Sequence, residues 1–430
     1  MDKNVIRSAE ILCVGTELLL GEVINTNAAY IAGRLADLGI SVYHQSVVGD
    51  NPARLRCELS AALSRSDLVI MTGGLGPTYD DLTKETAADL FGKSLVMDER
   101  ALGDIKEYFT RTGRTMAESN AKQALLPEGS IPLYNLWGTA PGMVIEGDGN
   151  LLGKAAILLP GPPREMRNMF EACVVPYLVE HTECAIVSKN IHLIGIGESA
   201  AEALLRELID ESKNPTLAPY AKDGEVRFRV TASAKTADEA GEMCNLLVDR
   251  VLESDVAPFV YGVDVGSVEG AVVKSLLEDV ETLATVESCT GGLIAKRITD
   301  LSGVSAVYLG GAVTYANEAK EKMVGVKHET LLAHGAVSEE TAREMAEGIR
   351  AALGADYGIS TTGIAGPTGG TPEKPVGTVY IAVASKSGTR VKRLNLPPMR
   401  DREYIRTASA TNALALLLEV KGVIGSNRSK

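Results

Sequence analysis

A glycine-rich turn between an apolar run and a helical segment constrains the fold of this chain more than any other stretch. Residues 72–83 read Thr-Gly-Gly-Leu-Gly-Pro-Thr-Tyr-Asp-Asp-Leu-Thr. The preceding run Asp67–Met71 is typical of a buried parallel strand, and the pattern of residues 84–91 predicts a helix. In open α/β sheets, the free amides and the helix dipole at such a junction favour phosphate binding. The residues expected to contact the phosphate are Gly73, Gly74, Gly76 and Thr78.

Carboxylates at the strand ends predict a divalent cation beside this phosphate. Strand and helix patterns alternate from Ala9 to Phe91, with one strand predicted over residues 41–48. This alternation predicts a doubly wound, mostly parallel sheet with right-handed crossovers. The C-terminal ends of such strands share one rim, and hard cations there take oxygen ligands. A purely structural alternative makes the glycines a tight turn and the two adjacent aspartates part of a helix cap. The carboxylates on the rim, and so the candidate metal ligands, are Glu17, Asp50, Asp80 and Asp81.

The same turn resembles the Gly-Gly-x-Gly-x-x-x-x-Asp-x-Thr signature of molybdopterin-binding domains, with Asp81 and Thr83 at its last two fixed positions. Its fuller form, Gly-Gly-Leu-Gly-Pro-Thr-x-Asp-Asp-x-Thr, resembles the CinA (competence/damage-inducible protein A) family. A second turn, Pro160–Met166, is similar to the Pro-Gly-Pro-Pro-x-Glu-Met element of that family. Arg164 in this turn is a candidate phosphate ligand, or else a solvated residue of the first helical turn.

The CinA resemblance implies that residues 1–180 form a molybdopterin-binding-like domain with ADP-ribose pyrophosphatase activity. It also implies a divalent cation as cofactor, whose identity stays open. The same fold serves proteins that adenylylate molybdopterin, so nucleotidyl transfer in molybdenum-cofactor synthesis is the alternative.

Residues 181–262 predict a small α+β domain, with two strand-like runs that precede helices over residues 199–209 and 237–252. The equivalent segment of CinA-like proteins resembles a KH-type fold. RNA binding is not expected here, because the segment has no Gly-x-x-Gly flanked by basic residues. We interpret this domain as a connector.

A second strand-to-helix junction predicts a nucleophile in a C-terminal domain that spans residues 267–424. The apolar run Thr282–Val286 leads into Glu-Ser-Cys-Thr-Gly-Gly at 287–292 and then into a helix. Ser288 and Cys289 are both candidate nucleophiles, and a helix cap is the structural alternative for the serine. The segments 311–320 and 357–367 repeat the strand-then-turn pattern. The backbone amides of the second segment, with the Thr362 hydroxyl, are candidates for an oxyanion hole.

These segments, with 335–339 and 375–379, resemble the nicotinamide-nucleotide amidase domain fused in many CinA proteins. The resemblance implies an α/β amidase that hydrolyses nicotinamide mononucleotide to nicotinate mononucleotide and ammonia without a cofactor. The essential hydroxyls of the family fall on Ser288, Tyr315 and Thr362, and Lys320 is the candidate general base. The expected substrate-binding residues are Thr290, Gly291, Gly292, Gly363, Gly366, Arg402 and Arg406. The two arginines lie one helical turn apart, and a solvated helix face is their alternative role.

Composition restricts the location and the partners. The formal net charge of −13 argues against a nucleic-acid surface, and no apolar segment is long enough to span a bilayer. The first residues lack a signal-peptide pattern, and six scattered cysteines suit reduced thiols in a cytoplasm. We therefore expect a cytoplasmic enzyme of pyridine-nucleotide salvage, which the resemblance predicts to be a homodimer. A non-catalytic competence or DNA-damage partner is the remaining alternative.

Overall fold

The computed structural model describes residues 5–182, 185–222 and 224–425. The chain divides into two compact units, Met1–Val187 with Ala232–Glu242 and Ser188–Thr231 with Met243–Lys430. No helix in the described ranges combines the length and the apolarity needed to cross a bilayer. The five described cysteines are free thiols, and the sixth, Cys184, lies outside the described residues.

A six-stranded sheet forms the centre of the first unit, as the alternating pattern predicts. Its order is β2-β1-β3-β8-β7-β6, and β4 and β5 form a separate antiparallel ribbon. The first four strands in that order are parallel, whereas β7 pairs antiparallel with both of its neighbours. The strands are β1 Ser8–Val14, β2 Ser41–Val48, β3 Leu68–Thr72, β4 Leu95–Met97, β5 Leu125–Pro127, β6 Ile131–Leu133, β7 Gly142–Glu146 and β8 Ala155–Leu159.

Helices cover both faces of this sheet, which makes the fold doubly wound. Ile31 and Leu35 of α2 pack on one face, and Leu55 and Leu59 of α3 pack on the other. The helices are α1 Thr16–Leu19, α2 Thr26–Asp37, α3 Pro52–Arg65, α4 Thr83–Leu90, α5 Glu99–Thr112, α6 Pro163–Met169 and α7 Val175–Glu180. Residues Glu118–Ala124 form a 3₁₀ helix.

The middle segment is an α+β arrangement with a four-stranded sheet of order β10-β11-β9-β12. Its strands are β9 Ala185–Ile194, β10 Thr216–Lys222, β11 Glu225–Ala234 and β12 Val260–Val263, and its helices are α8 Glu198–Leu204, α9 Arg206–Glu211 and α10 Ala237–Leu252. The single helix predicted over residues 199–209 is wrong, because buried Leu205 leaves the helical conformation (φ −105°, ψ 8°) and separates α8 from α9.

The C-terminal part is an α/β layer structure around a five-stranded sheet of order β14-β13-β15-β16-β17. β13 is parallel to β14 and β15, and the last two strands are antiparallel. The elements are β13 Leu283–Glu287, β14 Tyr308–Val313, β15 Tyr357–Gly363, β16 Thr378–Ser385, β17 Gly388–Asn395, α11 Val268–Asp279, α12 Leu293–Thr299, α13 Asn317–Val324, α14 His328–His334, α15 Glu339–Leu353 and α16 Arg402–Val420. Because β14, β13 and β15 are adjacent and parallel, the loops that follow them meet at one edge.

Candidate functional sites

The first candidate site lies where β13 ends. Ser288 follows the strand directly, remains partly exposed, and donates its backbone N–H to the Thr361 carbonyl of neighbouring β15 (2.9 Å). Its side chain faces Lys320 of α13, whose Nζ donates to the Ser288 Oγ at 3.2 Å and to the Thr314 carbonyl at 2.7 Å. The structure thus brings together two predicted residues that are far apart in the sequence.

Lys320 is almost completely buried, with 1% of its surface exposed. Burial lowers the pKa of Lys320, because desolvation disfavours the charged ammonium form. No ion pair joins Lys320 to a carboxylate within the described ranges. A lysine with a depressed pKa has a neutral amine available at a lower pH than usual, and that amine can take a proton from a hydroxyl.

Cys289 is the other candidate nucleophile, and its surroundings disfavour that role. Its side chain is 5% exposed. Burial raises the pKa of Cys289 to about 12, so the thiol keeps its proton at neutral pH. Since the thiolate is the reactive form, Cys289 is a packing residue here. Of the two candidate nucleophiles, Ser288 is the one with the Lys320 amine within hydrogen-bond distance.

The other two predicted catalytic hydroxyls occupy contrasting environments. Tyr315 is 65% exposed, and its hydroxyl accepts a hydrogen bond from Arg402 at 3.0 Å. Thr362 is 1% exposed, and its hydroxyl donates to the Ala336 carbonyl at 2.6 Å. Thr362 therefore holds the chain at Ala336 in this structure, and its hydroxyl hydrogen is engaged there rather than facing Ser288.

The two predicted arginines of α16 contact the loops of the site. Arg402 donates to the Gly366 carbonyl at 2.7 Å, and Arg406 donates to the Thr290 carbonyl at 2.7 Å. The Arg406 guanidinium thus lies beside the loop that contains Ser288, and the Arg402 guanidinium lies beside the loop at Gly366, so the two residues are not merely a solvated helix face. Two cationic groups at this edge suit a phosphate ligand.

Small residues shape the loop between β13 and α12. Gly291 and Gly292 have φ values of 61° and 89°, the left-handed region that favours glycine. The hydroxyl of Thr290 is buried and hydrogen-bonded to that of Thr361 (2.7 Å). A side chain at Gly363 would crowd the next strand, because its Cβ would lie 2.8 Å from the Val379 Cα. These predicted substrate-binding residues therefore set the backbone course around Ser288.

Glu287 is a structural residue of this site that was not predicted from the sequence. It is 1% exposed, and its carboxylate accepts hydrogen bonds from the backbone N–H groups of Ile294 (3.1 Å) and Ala295 (2.9 Å). It thereby satisfies two free donors at the N-terminal end of α12. Glu287 ends a strand and lies seven residues before the first amide that it binds. Known helix-capping patterns do not include this spacing, so the sequence gives no signal for the contact.

The second candidate site is a cavity of about 460 Å³ in the first unit, at the C-terminal ends of its parallel strands. Every predicted phosphate and metal residue of this region lines it except Arg164, which is exposed and lies outside the lining. The lining residues predicted from sequence are Glu17, Asp50, Gly73, Gly74, Gly76, Thr78, Asp80 and Asp81. The interpretation of Arg164 as a solvated residue therefore fits the structure better than its role as a phosphate ligand.

The carboxylates of this cavity are held in two separate groups. Asp50 accepts from the backbone N–H (3.0 Å) and the hydroxyl (2.8 Å) of Thr16. Asp81 accepts from the N–H of Thr78 at 2.9 Å, and both Asp80 and Asp81 contact the hydroxyl of that threonine. The hydrogen bond from Thr78 lowers the pKa of Asp80 and keeps it ionised.

This arrangement decides which kind of cation fits. The described residues contain no group of three His, Cys, Asp or Glu side chains able to hold a metal ion. A cation that needs a cage made only of protein ligands therefore does not fit. Mg²⁺-like ions take one or two carboxylates and complete their shell with water and substrate phosphate, and the aspartates beside the glycine turn suit that mode.

Comparison with known proteins identifies the family. Residues 10–180 match the family model "Probable molybdopterin binding domain", residues 188–262 match "Damage-inducible protein CinA KH domain", and residues 266–421 match "CinA C-terminal domain". A putative competence-damage inducible protein of Acetivibrio thermocellus is 50% identical over 410 residues, 95% of this chain and 98% of that protein. The chain belongs to the CinA family.

Other CinA relatives give the same result. A CinA-like protein of Kosmotoga olearia is 50% identical over 406 residues, which are 94% of this chain and 97% of that protein. Among solved structures, competence/damage inducible protein CihA of Agrobacterium tumefaciens is 39% identical, covers 37% of this chain and 96% of its own, and has a TM-score of 0.36. The match to the CinA KH domain model and the two 50% identical relatives confirm the family resemblance and the KH-like middle segment that were predicted from sequence.

Proposed function

We propose that the C-terminal domain of this CinA protein is an amidohydrolase that converts nicotinamide mononucleotide to nicotinate mononucleotide and ammonia. The observation that supports it most is the buried Lys320 amine at 3.2 Å from the Ser288 hydroxyl. A serine is a weak nucleophile unless a base takes its proton, and a desolvated lysine is such a base.

The reaction then follows from these two residues. Neutral Lys320 takes the Ser288 proton while Oγ bonds to the carboxamide carbon. The tetrahedral intermediate collapses as Lys320 returns the proton to the departing nitrogen, which leaves as ammonia. Water, deprotonated by the same amine, hydrolyses the resulting ester and frees the nicotinate product and Ser288. The reaction needs no cofactor.

The charged groups around Ser288 support a nucleotide substrate. Arg402 and Arg406 contact the two loops at this edge of the sheet, and their guanidinium groups suit the 5′-phosphate. The exposed Tyr315, fixed by Arg402, offers a hydroxyl to the ribose or the carboxamide. We assign substrate binding to these three side chains.

Ammonia release from nicotinamide mononucleotide by the pure protein tests this proposal. The parent protein is expected to turn over, Ser288→Ala to lose at least about 10³-fold in kcat, and Cys289→Ala to stay within about threefold of the parent. No turnover by the parent, or a loss with Cys289→Ala instead of Ser288→Ala, would contradict it.

For the N-terminal domain, we propose hydrolysis of ADP-ribose to AMP and ribose 5-phosphate with a divalent cation. Support comes from the cavity, which combines the amides of the glycine turn with Asp80 and Asp81. The cation, held by these aspartates and by the substrate, would neutralise charge on the pyrophosphate. The family description "Probable molybdopterin binding domain" favours the alternative, nucleotidyl transfer to molybdopterin. Release of AMP from ADP-ribose, measured with and without Mg²⁺, distinguishes the two.

We further infer a cytoplasmic homodimer without nucleic-acid or membrane partners. Light scattering coupled to gel filtration tests the oligomeric state. A role as a competence partner, suggested by the names of relatives, requires no turnover, so the two assays above also test it.

A further inference from the structure

Asn27 lies in the wall of the N-terminal cavity, and the proposed chemistry gives it no role. It belongs to the first turn of α2, lines the cavity, and is 8% exposed. Its side chain reaches the ends of two strands of the sheet, next to the glycine turn.

The orientation of the Asn27 amide is fixed by its neighbours. Its nitrogen donates to the Gly161 carbonyl at 2.8 Å and to the Thr72 hydroxyl oxygen at 3.1 Å. The Thr72 hydroxyl in turn donates to the Pro160 carbonyl at 2.9 Å, so its hydrogen is committed there. Both contacts of Asn27 therefore require an N–H donor, and a flipped amide would place an oxygen against two acceptors.

The Asn27 Oδ1 is consequently a fixed acceptor, and it is buried without a hydrogen-bond partner among the described residues. Buried polar atoms are nearly always paired, and an unpaired one costs free energy. Asn27 Oδ1 has less than 1 Å² of accessible surface, so a ligand donor reaches it only with a small shift of the cavity wall, and the hydrogen bond so formed would relieve this cost.

We propose that Asn27 Oδ1 accepts a hydrogen bond from a hydroxyl or amino group of the ligand and so determines specificity in this cavity. An ionised phosphate has no hydrogen to donate and would be repelled by this oxygen. The cavity thus has a phosphate-binding part at the glycine turn and a donor-binding part at Asn27. The inference builds on the proposed nucleoside diphosphate ligand, whose ribose hydroxyls and base amine supply donors of this kind.

Calorimetric titration with two non-hydrolysable probes in Mg²⁺ tests the inference without turnover. α,β-Methylene-ADP carries hydroxyl and amino donors, whereas methylenediphosphonate carries the phosphate-like part alone. Asn27→Ala is expected to weaken α,β-methylene-ADP binding about five- to tenfold and to change methylenediphosphonate binding by less than about twofold. Asn27→Leu, which is closer in size, is expected to behave in the same way.

Thr72→Val is the matched control, because it removes one hydrogen bond that holds Asn27 but keeps Oδ1. It is expected to weaken both probes by less than about twofold. If the Asn27 variants lose affinity for both probes equally, or lose affinity for neither, the inference is overturned. If the parent protein binds neither probe, both the inference and the ADP-ribose proposal are contradicted. If the Asn27 variants lose affinity for α,β-methylene-ADP alone and the parent protein does not hydrolyse ADP-ribose, the inference is supported and only the proposed hydrolase activity is contradicted.

Discussion

Burial gives the Ser288–Lys320 pair its chemistry at the scale of single residues. The same amine in water would hold its proton up to a pH of about 10.4 and could not act as a base near neutrality. At 1% exposure and with a carbonyl as its closest fixed partner, Lys320 has lost the hydration that stabilises the ammonium.

The pH profile expected for the proposed amidase reaction follows from this environment. Because burial lowers the pKa of Lys320, its neutral form accumulates at a lower pH than that of an exposed lysine. We expect kcat/KM to rise with pH, with the midpoint of the rise below a pH of about 10.4, and to reach a plateau above that midpoint. Initial rates of ammonia release across a pH series measure this midpoint.

Lys320→Arg is the companion variant for that series. Arginine stays protonated throughout, so its rate should be lower by at least about 10²-fold and should not recover at high pH. A rate that recovers in this variant would show that another group is the base.

Sequence reasoning reached these residues only in part, and the reason lies in strand order. The pattern places Ser288 and Lys320 after separate strands, but only the adjacency of β13 and β14 brings them to 3.2 Å. The direction of a side chain is equally hidden. Thr362 was expected to donate to an oxyanion, yet alternation along β15 turns its hydroxyl to the Ala336 carbonyl.

Among the secondary-structure elements, α12 depends on a single carboxylate. Glu287 binds two backbone amides of this helix and immediately precedes Ser288. Glu287→Gln keeps one acceptor but turns an amide N–H₂ towards the second donor. We expect it to lower the free energy of unfolding by about 2 kcal/mol and to reduce kcat, because Ser288 shifts with the strand end. Thermal unfolding and ammonia release measure the two effects. Unchanged stability would show that the cap is dispensable.

In the first unit, the 3₁₀ helix Glu118–Ala124 supports the glycine-rich turn of residues 72–83. The Nζ of Lys122 donates to the Asp81 carbonyl at 2.7 Å, and the Gln123 amide donates to the Leu75 carbonyl at 3.2 Å. Lys84 of α4 holds this helix in turn, because its Nζ donates to the Lys122 carbonyl at 2.7 Å. Burial lowers the pKa of Lys84 to about 8.

This support predicts an effect on one activity only. Lys122→Met removes the donor to Asp81 but keeps the length of the side chain. We expect ADP-ribose hydrolysis to fall about tenfold through a higher KM, since the turn loses its fixed position. Steady-state kinetics with ADP-ribose measure the change, and ammonia release should match that of the parent. An effect on kcat with unchanged KM would argue against a positioning role.

At the scale of the whole molecule, the two candidate sites lie in different compact units, and their proposed chemistries differ in cofactor. Treatment with EDTA should abolish ADP-ribose hydrolysis and leave ammonia release within about twofold, because only the first reaction uses a cation. Asp81→Asn should reproduce this pattern, and Ser288→Ala should give the reverse. Parallel assays on the same preparations test the separation. If any one of these treatments or variants abolishes both activities, the two sites depend on each other.

The sequence predicts the architecture of each unit better than its contacts. Alternation of apolar strands and amphipathic helices predicts the parallel core of the first sheet, and β2 and α10 have the expected bounds. The antiparallel edge β7-β6 and the break at Leu205 were missed, because each follows from tertiary packing rather than from local pattern. Asn27 was missed because its partners Thr72 and Gly161 are distant in the sequence. Glu287 was missed because its bonds to amides seven and eight residues later follow no capping pattern.

Trapping the covalent intermediate tests the Ser288 assignment most directly. The protein is mixed with nicotinamide mononucleotide, quenched rapidly in acid, digested, and analysed by peptide mass spectrometry. We expect an ester of nicotinate mononucleotide on the peptide that contains Ser288, and no adduct in Ser288→Ala. An adduct on Cys289, or continued ammonia release by Ser288→Ala without any adduct, would contradict the assignment.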